Sequence, residues 1–399
     1  MSIDVSVGKV VTMASYCIFS AHYLPHIGGV EGYTNHLAHA LADLGNTVKV
    51  VTNNTENVDT IEYENSRITV YRLPCLPAIR GRYPIPVFDK RFRMIWDEAV
   101  SGRCDGVIVN TRFYLHTLLG IRLAKKKNLV PLVIDHGSTF ISFGSAVLDP
   151  FVRVYEELIT RLIKRSSAVF YGVSARSEEW LTHFKISAKG TIPLAIDQAD
   201  FINSAARIDY REKLSIADDV PIVVFTGRLE PIKGIDCIIS VANEAQELGR
   251  SFHFVIAGTG SMENEIKASE KKLRNLHYLG GLDSSHISAL LQQSDLFLFP
   301  SRSEGFGASL LEAAAAGVPL LSTDVGIAPL LIAGGRGGAF IERDNPCSVV
   351  ELIASLLEDD SSLETMRDFL KTKVRDEFSW NRSALLAMRA CRDANKRDK

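Results

Sequence analysis

The stretch that decides the fold is Ser-Glu-Gly-Phe-Gly-Ala-Ser-Leu-Leu-Glu, residues 303–312. An apolar run at 295–300 predicts a buried strand before it, and strong helix formers follow it. Glu304 therefore falls where the strand ends, and Glu312 is expected about two turns into the helix. Open α/β sheets bind ligands at such strand ends, and the two glycines would bring backbone N–H groups to a helix N-terminus suited to phosphate. Because carboxylates accept hydrogen bonds from sugar hydroxyls, the pattern indicates a nucleotide sugar.

A second cluster, Phe-Thr-Gly-Arg-Leu-Glu-Pro-Ile-Lys-Gly at 225–234, also follows a β-rich run and precedes a helical pattern. Arg228 offers a planar fork for bidentate phosphate contacts, and Lys233 adds a compact charge. Taken alone, two glutamates on a helix or two cations in a loop are typical of a solvated surface. Two such clusters at strand ends of one chain favour a site for phosphate and sugar.

Strand-like and helix-like runs alternate along the 399 residues, which predicts α/β architecture with parallel sheets. This length suits two domains, each able to bury its own core. The strand pattern gives way to polar and charged residues between 196 and 220, so we place the domain boundary there.

The Gly-Arg-x4-Lys-Gly and Glu-x7-Glu runs resemble those of the family-4 retaining glycosyltransferases, which share the GT-B fold. The resemblance covers nearly the whole chain and includes Gly-Gly-Val-Glu at 28–31, His-Gly-Ser at 136–138 and Phe-Ser-Trp at 378–380. It implies two Rossmann-like, doubly wound parallel-sheet domains that face each other across a cleft.

The same resemblance assigns the two domains. An N-terminal, acceptor-side domain would span 1–198, and a helix at about 380–399 would pack back on it. A C-terminal domain at 199–379 would bind the nucleotide sugar. Relatives carry Asn-Gly where this chain has Leu194-Ala195, and this departure concerns a hinge contact.

The resemblance also implies roles for individual residues. Arg228 and Lys233 would neutralise the diphosphate as the glycosidic bond breaks, and Glu304 would contact the transferred sugar. His136 would point at the donor sugar near the reacting carbon, although a lone histidine is more often structural. The expected catalytic set is Glu304, His136, Arg228 and Lys233. The expected donor-binding set is Gly28 and Gly29 at the β-phosphate, Leu279 near the base, Phe306, Gly307, Ala308 and Ser309 through backbone N–H groups, and Glu312 at the ribose.

The implied reaction is retaining transfer of a hexosyl group from a nucleoside-diphosphate sugar to a hydroxyl of a glycan or lipid-linked glycan. We expect a role in the synthesis of cell-surface polysaccharide or glycoconjugate, without a cofactor or a metal ion. Uridine is favoured by its frequency among relatives, while guanosine and adenosine stay open. The alternatives are a GT-B-fold sugar-nucleotide epimerase and a catalytically silent scaffold subunit. The Gly-Arg-x4-Lys-Gly run argues against the epimerase, and the presence of Arg228, Lys233 and Glu304 argues against the scaffold.

Composition favours a cytoplasmic protein without a nucleic-acid partner. The six cysteines are scattered, and no apolar stretch reaches the ~18–20 residues that span a bilayer. The segment 79–96 mixes cationic and aromatic residues, which is typical of a peripheral contact with a membrane face. A surface segment with a packed aromatic side is the alternative. Arg112-Phe113, after the predicted strand at 106–110, is a further candidate for contact with the acceptor.

Overall fold

The computed structural model describes residues 13–26, 28–78, 81–141 and 147–396. Within these ranges the chain divides into two compact units. The first takes in the described residues of Met1–Gly172, Trp180–Ile192 and Trp380–Lys399, and the second comprises Val173–Glu179 and Pro193–Ser379. Each unit is built on one predominantly parallel sheet with helices packed against it, which confirms the predicted fold class.

The sheet of the first unit has seven strands in the order β3-β4-β2-β1-β7-β8-β9, and only β3 runs antiparallel to its neighbour. Its central strands β1 and β7 are buried along their whole length, because helices cover both faces of such a sheet. A separate hairpin is formed by β5 and β6. The strands are β1 (Ser15–Phe19), β2 (Thr47–Asn53), β3 (Ile61–Tyr63), β4 (Ile68–Leu73), β5 (Cys75–Ala78), β6 (Tyr83–Pro86), β7 (Gly106–Asn110), β8 (Leu132–Asp135) and β9 (Val169–Gly172).

The sheet of the second unit has six parallel strands in the order β12-β11-β10-β13-β14-β15. The chain builds outward from β10 to β12, then returns to place β13 on the other side of β10. This reversal leaves a crevice at the carboxyl ends of β10 and β13, where doubly wound sheets bind ligands. The strands are β10 (Ile222–Thr226), β11 (His253–Ala257), β12 (Leu276–Tyr278), β13 (Leu296–Phe299), β14 (Leu320–Ser322) and β15 (Gly338–Phe340).

Fifteen α-helices accompany the strands in the described ranges, together with a 3-10 turn at Pro231–Lys233. The last of them lies in the first unit, where the Trp380 ring stacks on His36 with centroids 4.9 Å apart. The helices are α1 (Gly29–Asp43), α2 (Lys90–Ala99), α3 (Leu115–Lys126), α4 (Leu148–Lys164), α5 (Ala175–His183), α6 (Gln198–Asn203), α7 (Tyr210–Leu214), α8 (Ile235–Glu247), α9 (Glu263–Glu270), α10 (Ser284–Gln292), α11 (Ala308–Ala316), α12 (Ala328–Ile332), α13 (Pro346–Leu357), α14 (Asp360–Glu377) and α15 (Trp380–Lys396).

Candidate active site

The two cationic residues of the second unit follow β10 and differ in their surroundings. The side chain of Arg228 is exposed and has no hydrogen-bond or ion-pair partner among the described residues. Lys233 closes the 3-10 turn, and Gly234 follows it with φ 77°. A Cβ on Gly234 would lie 2.1 Å from the carbonyl oxygen of Pro300, directly after β13. Glycine is therefore required for the turn to lie against the end of β13.

This close approach brings Lys233 to Glu304. The Lys233 Nζ donates to Glu304 Oε1 at 2.5 Å, and Ser301 Oγ donates to the same oxygen at 2.8 Å. Both charged side chains are mostly buried, with 14% and 10% of their surface exposed. The Lys233 ammonium also lies 5.7 Å from the centroid of the Phe299 ring. The strand-end clusters predicted at 225–234 and 303–312 thus meet at a polar contact.

The loop after β13 leads into α11 through Gly307, whose φ is 93°. Its carbonyl groups are occupied: Gly305 accepts from Ser174 and from Ser177, and Phe306 accepts from the N–H of Ile327 at 2.8 Å. The backbone N–H groups of residues 305–309 have no acceptor among the described residues. Free N–H groups at a helix N-terminus suit an anion. The side chain of Phe306 is buried, so only its backbone is available to a ligand.

Glu312 lies one turn into α11, not the two turns expected from the sequence, because the helix begins only at Ala308. Its carboxyl group has no hydrogen-bond or ion-pair partner in the described part of the chain. Burial raises its pKa to about 7. A half-buried carboxyl without a partner is suited to accept hydrogen bonds from ligand hydroxyls, which would lower its pKa again.

Leu279 follows β12, which lies two strands from β10 and hence about 10 Å from it. Its backbone N–H already donates to the carbonyl of Ile256 at 3.0 Å. Only the carbonyl of Leu279 is therefore free for the predicted contact with the base.

In the first unit, Gly28 caps α1 in an extended conformation, and Gly29 is its first residue. A Cβ on Gly29 would meet no atom within 4 Å, whereas one on Gly28 would lie 2.3 Å from Oε2 of Glu31. The packing of this unit therefore leaves open space at Gly29, while Gly28 makes room for a neighbouring carboxylate.

His136 directly follows β8. Its Nε2 lies 3.5 Å from Oδ1 of Asn110, and its ring makes an edge contact with Tyr33 at 4.7 Å between centroids. The Tyr33 hydroxyl is anchored by donation to the carbonyl of Ile192 at 3.0 Å. Burial lowers the pKa of His136 to about 3, so the imidazole is neutral at physiological pH. It can act as a hydrogen-bonding group there, but not as a cation.

A buried ionic cluster beside His136 was not foreseen. Arg112 is 1% exposed, and its guanidinium lies 2.5 Å from Oε1 of Glu156 and 3.6 Å from Oδ1 of Asp135. The prediction that Arg112 contacts the acceptor is therefore wrong, because its guanidinium is buried and paired with Glu156 and Asp135. Glu156 also accepts from the N–H of Ile141 at 3.3 Å. The cluster therefore contacts the chain at Asp135, directly before His136, and again at Ile141.

The segment 79–96 is only partly surface-forming, and its residues 79 and 80 lie outside the described ranges. Phe92 and Trp96 are buried in the hydrophobic core of the first unit. Phe88, Arg91 and Arg93 are exposed. Helix α2 therefore has a packed aromatic side, which was the alternative interpretation of this segment.

Helix α4 carries a larger apolar surface. Its inner face contributes Glu156 to the ionic cluster, whereas large apolar side chains at three- and four-residue spacing lie exposed along another face. Arg161 and Arg165 border them and are also exposed. The exposed apolar residues, the α4 stripe, are Val147, Leu148, Phe151, Val154, Leu158 and Leu162.

Comparison with known proteins identifies the class. Residues 27–199 match the family model of Glycosyltransferase Family 4, and residues 206–373 match that of Glycosyl transferases group 1. The chain belongs to the family-4 glycosyltransferases of the GT-B fold. Among the described residues, no helix is both long and apolar enough to cross a membrane.

Individual relatives support this assignment. An uncharacterized glycosyltransferase of Methanocaldococcus jannaschii is 25% identical over 92% of this chain and 95% of its own. The D-inositol 3-phosphate glycosyltransferase of Paenarthrobacter aurescens is 23% identical over 92% of this chain and 93% of its own. The solved structure of HepE from Anabaena in complex with UDP-glucose has a TM-score of 0.65 and 15% identity. That alignment covers 96% of this chain and 100% of HepE.

Proposed function

We propose that this glycosyltransferase moves a sugar from a nucleoside-diphosphate sugar, with UDP-sugar favoured, to a hydroxyl of a glycan or lipid-linked glycan, with retention at the anomeric carbon. The observation that carries the proposal is the pair Lys233–Glu304 at the switch point of the second sheet, in the same strand-end cluster as the exposed side chain of Arg228. The UDP-glucose complex of HepE, a protein of the same fold, supports a donor of this class.

We assign each part of the donor to residues, beginning with its phosphates and mainly in the second unit. Arg228, Lys233 and the free N–H groups before α11 would hold the diphosphate, and Gly28 and Gly29 would contribute a contact to the β-phosphate. Glu312 would accept from the ribose hydroxyls, while Leu279 would offer its carbonyl to the base. Two cations and a helix N-terminus compensate the diphosphate charge, so the proposed transfer uses no metal ion and no cofactor.

In the proposed transfer, the acceptor hydroxyl attacks the anomeric carbon on the face that the diphosphate leaves, and a diphosphate oxygen takes its proton. Glu304 and His136 would contact the sugar while charge develops on its ring. Glu312 is assigned to the ribose, so no double displacement through the two glutamates is involved; retaining glycosidases, by contrast, place two carboxylates about 5–5.5 Å apart across the anomeric carbon.

We assign the protein to the cytoplasm, with a role in cell-surface polysaccharide or glycoconjugate synthesis and a peripheral contact with an anionic membrane face. The segment 79–96 supports such a contact through Phe88, Arg91 and Arg93. The α4 stripe supports it more strongly, because its exposed apolar side chains recur every three or four residues and are bordered by Arg161 and Arg165. Apolar side chains next to exposed cations are the combination that interfacial helices use on anionic lipid.

A donor panel tests the proposed function. UDP, GDP and ADP, each with its glucose derivative, are added to the purified protein and the melting temperature is measured. One base series is expected to raise it, since a ligand that binds only the native state stabilises by RT ln(1 + [L]/Kd). Incubation of the stabilising sugar nucleotide without acceptor then separates the alternatives. Epimerised sugar nucleotide would indicate an epimerase, and no stabilisation by any donor would indicate a silent scaffold.

A further inference from the structure

Three polar side chains meet in the first unit where β1 leads into α1. They are His22, His26 and Glu31, and one donor atom of each lies within 4.8 Å of the donor atoms of the other two. No second group of this kind occurs in the part of the chain that the structure describes. The first sheet reverses its direction of build between β1 and β7, so this group lies at the strand ends where such sheets bind ligands.

The hydrogen bonds of the two histidines leave one ring nitrogen of each without a proton to donate. His22 Nε2 lies 3.4 Å from the carbonyl oxygen of Arg82, and His26 Nδ1 lies 2.9 Å from Oε1 of Glu56. Both partners are acceptors, so these nitrogens carry the protons of the neutral rings. The lone pairs of His22 Nδ1 and His26 Nε2 are therefore free. An outer carboxylate or carbonyl that orients a histidine in this way is characteristic of metal ligands.

Two of the three groups are buried, one without a hydrogen-bond donor and the other without a counter-charge. His22 is only 4% exposed, and its Nδ1 has no hydrogen-bond partner among the described residues. Glu31 is 8% exposed, and no described cation pairs with its carboxylate. A buried acceptor nitrogen without a donor and a buried carboxylate without a counter-charge each carry a desolvation cost. A single cation between them would satisfy both.

We propose that His22, His26 and Glu31 bind one divalent transition-metal ion of the zinc class. Two imidazole nitrogens and one carboxylate are a ligand set that zinc uses, with a fourth position left for water or another ligand. Mg²⁺ and Ca²⁺ prefer oxygen ligands and are excluded by the two histidines. The ion would tie the end of β1 to the first turn of α1, on either side of Gly28 and Gly29. The ion takes no part in the proposed transfer, although Gly28 and Gly29, which it would flank, are assigned a contact to the β-phosphate there.

The test is direct measurement of metal uptake by the full chain after removal of metal with a chelator. Isothermal titration calorimetry is expected to show tight binding of one equivalent of Zn²⁺. The melting temperature should rise when Zn²⁺ is bound. His26→Gln and Glu31→Gln should each weaken that equivalent by more than about a hundredfold, since the loss of outer-shell partners alone costs about 10–100-fold. Glu56→Ala, which removes such an outer partner of His26, should weaken Zn²⁺ binding by at least about tenfold.

Two control variants locate the site. His39 lies on α1 and its ring is 3.7 Å from Glu64, so it resembles His26 in having a carboxylate neighbour but lacks the other two ligands. His39→Gln should bind Zn²⁺ like the wild type. His253 and His277 are linked by a hydrogen bond of 2.7 Å in the second unit and offer a competing pair. The proposal is overturned if the wild type takes up no Zn²⁺, if His26→Gln and Glu31→Gln keep its affinity, or if only His277→Gln removes the equivalent.

Discussion

Lys233 donates a hydrogen bond of 2.5 Å to Glu304, although the two residues are 71 positions apart in the chain. One was expected at the donor diphosphate and the other at the transferred sugar, which are neighbouring parts of the same substrate. Their contact means that, without donor, each charge compensates the other. When the donor binds, its diphosphate would take over the hydrogen bond of Lys233 or share it with Glu304. Loss of Lys233 would leave the Glu304 carboxylate without its partner.

Lys233→Ala is expected to lower kcat by about a hundredfold or more, the scale of losing one charge-stabilising group in a transition state. The fold should persist, which circular dichroism would verify. Lys267→Ala is the matched control, because Lys267 pairs with Glu263 at 3.5 Å on an exposed helix face. Turnover of the Lys233 variant at the level of the Lys267 control would remove Lys233 from the mechanism.

Substitutions of the two glutamates should change different kinetic quantities. Glu304→Gln is expected to lower kcat strongly and leave the Kd for the bare nucleoside diphosphate almost unchanged, because the sugar ring gains charge in the transition state. Glu312→Gln should raise the donor KM and weaken binding of the bare nucleoside diphosphate, since the ribose hydroxyls do not change during transfer. Steady-state kinetics together with calorimetric titration measure both quantities. The reverse pattern would exchange the two assignments.

Donor binding should release a proton near neutral pH through Glu312. Its folded-state pKa of about 7 lies above the ordinary value of 4.5. The folded protein therefore holds this proton more tightly than the unfolded chain, and the group lowers stability as pH rises from about 4.5 to about 7. Hydrogen bonds from ribose hydroxyls favour the ionised carboxylate and lower its pKa.

Titration calorimetry at pH 7 in buffers of different ionisation enthalpy measures this release. The wild type should release more protons on binding UDP-glucose than Glu312→Gln does, since the amide cannot ionise. Equal proton release by the two proteins would show that Glu312 does not titrate with donor binding.

The buried ionic cluster should matter for stability. Arg112→Met is expected to lower the free energy of unfolding by about 3–5 kcal/mol, because Asp135 and Glu156 then lack their buried counter-charge. Burial already raises the pKa of Asp135 to about 6 despite the guanidinium, so its carboxyl lowers stability as pH rises from about 3.8 to about 6. The loss in the variant should therefore shrink at acidic pH, where protonation removes the unpaired charge.

Urea unfolding at pH 5 and pH 8 measures the difference. Arg103→Met is the comparison, because Arg103 forms an exposed pair with Asp105 at 2.7 Å, and such pairs contribute about 0–1 kcal/mol. An Arg112 variant as stable as the Arg103 variant would contradict the assigned role of the cluster.

The α4 stripe gives a separate prediction for membrane contact. The double variant Phe151→Ser, Leu158→Ser should sediment with vesicles containing anionic lipid at least about tenfold more weakly, since burial of each such side chain contributes about 1.5–3 kcal/mol. Arg91→Ser tests the segment 79–96, and added salt should weaken the contribution of its charge.

The control for the stripe is Leu248→Ser, which removes an exposed leucine from the second unit. Equal binding by the Leu248 and stripe variants, or no binding of the wild type to any vesicle composition, would contradict a lipid-facing role for α4.

The sequence predicts the central strands well and the sheet margins poorly. β1, β7, β10 and β13 are continuous apolar runs, the pattern of strands buried on both faces. The hairpin β5–β6 was not predicted, because Pro77, Pro84 and Pro86 interrupt its strand pattern. Residues 190–193, whose sequence also predicts a strand, form only an isolated bridge between Thr191 and Gly172.

The site divides in the same way. Local spacing placed Arg228, Lys233 and Glu304 at strand ends. Their mutual contact depends on strand order, which no local pattern encodes. Glu156 and Arg112 are 44 residues apart, and His22 has its outer partner 60 residues away at Arg82. Buried polar clusters of this kind arise from tertiary packing, so residue spacing carried no signal of them.

The close fit of Gly234 against Pro300 affects how related sequences should be judged for activity. Charged motif residues are the usual markers by which a functional copy of an enzyme is distinguished from a degenerate one. Here a copy could keep both Lys233 and Glu304 and still lose their contact, because any side chain at 234 would push the turn away from β13. In genome surveys, the glycine after the lysine would therefore be as diagnostic of a working enzyme as the two charges themselves.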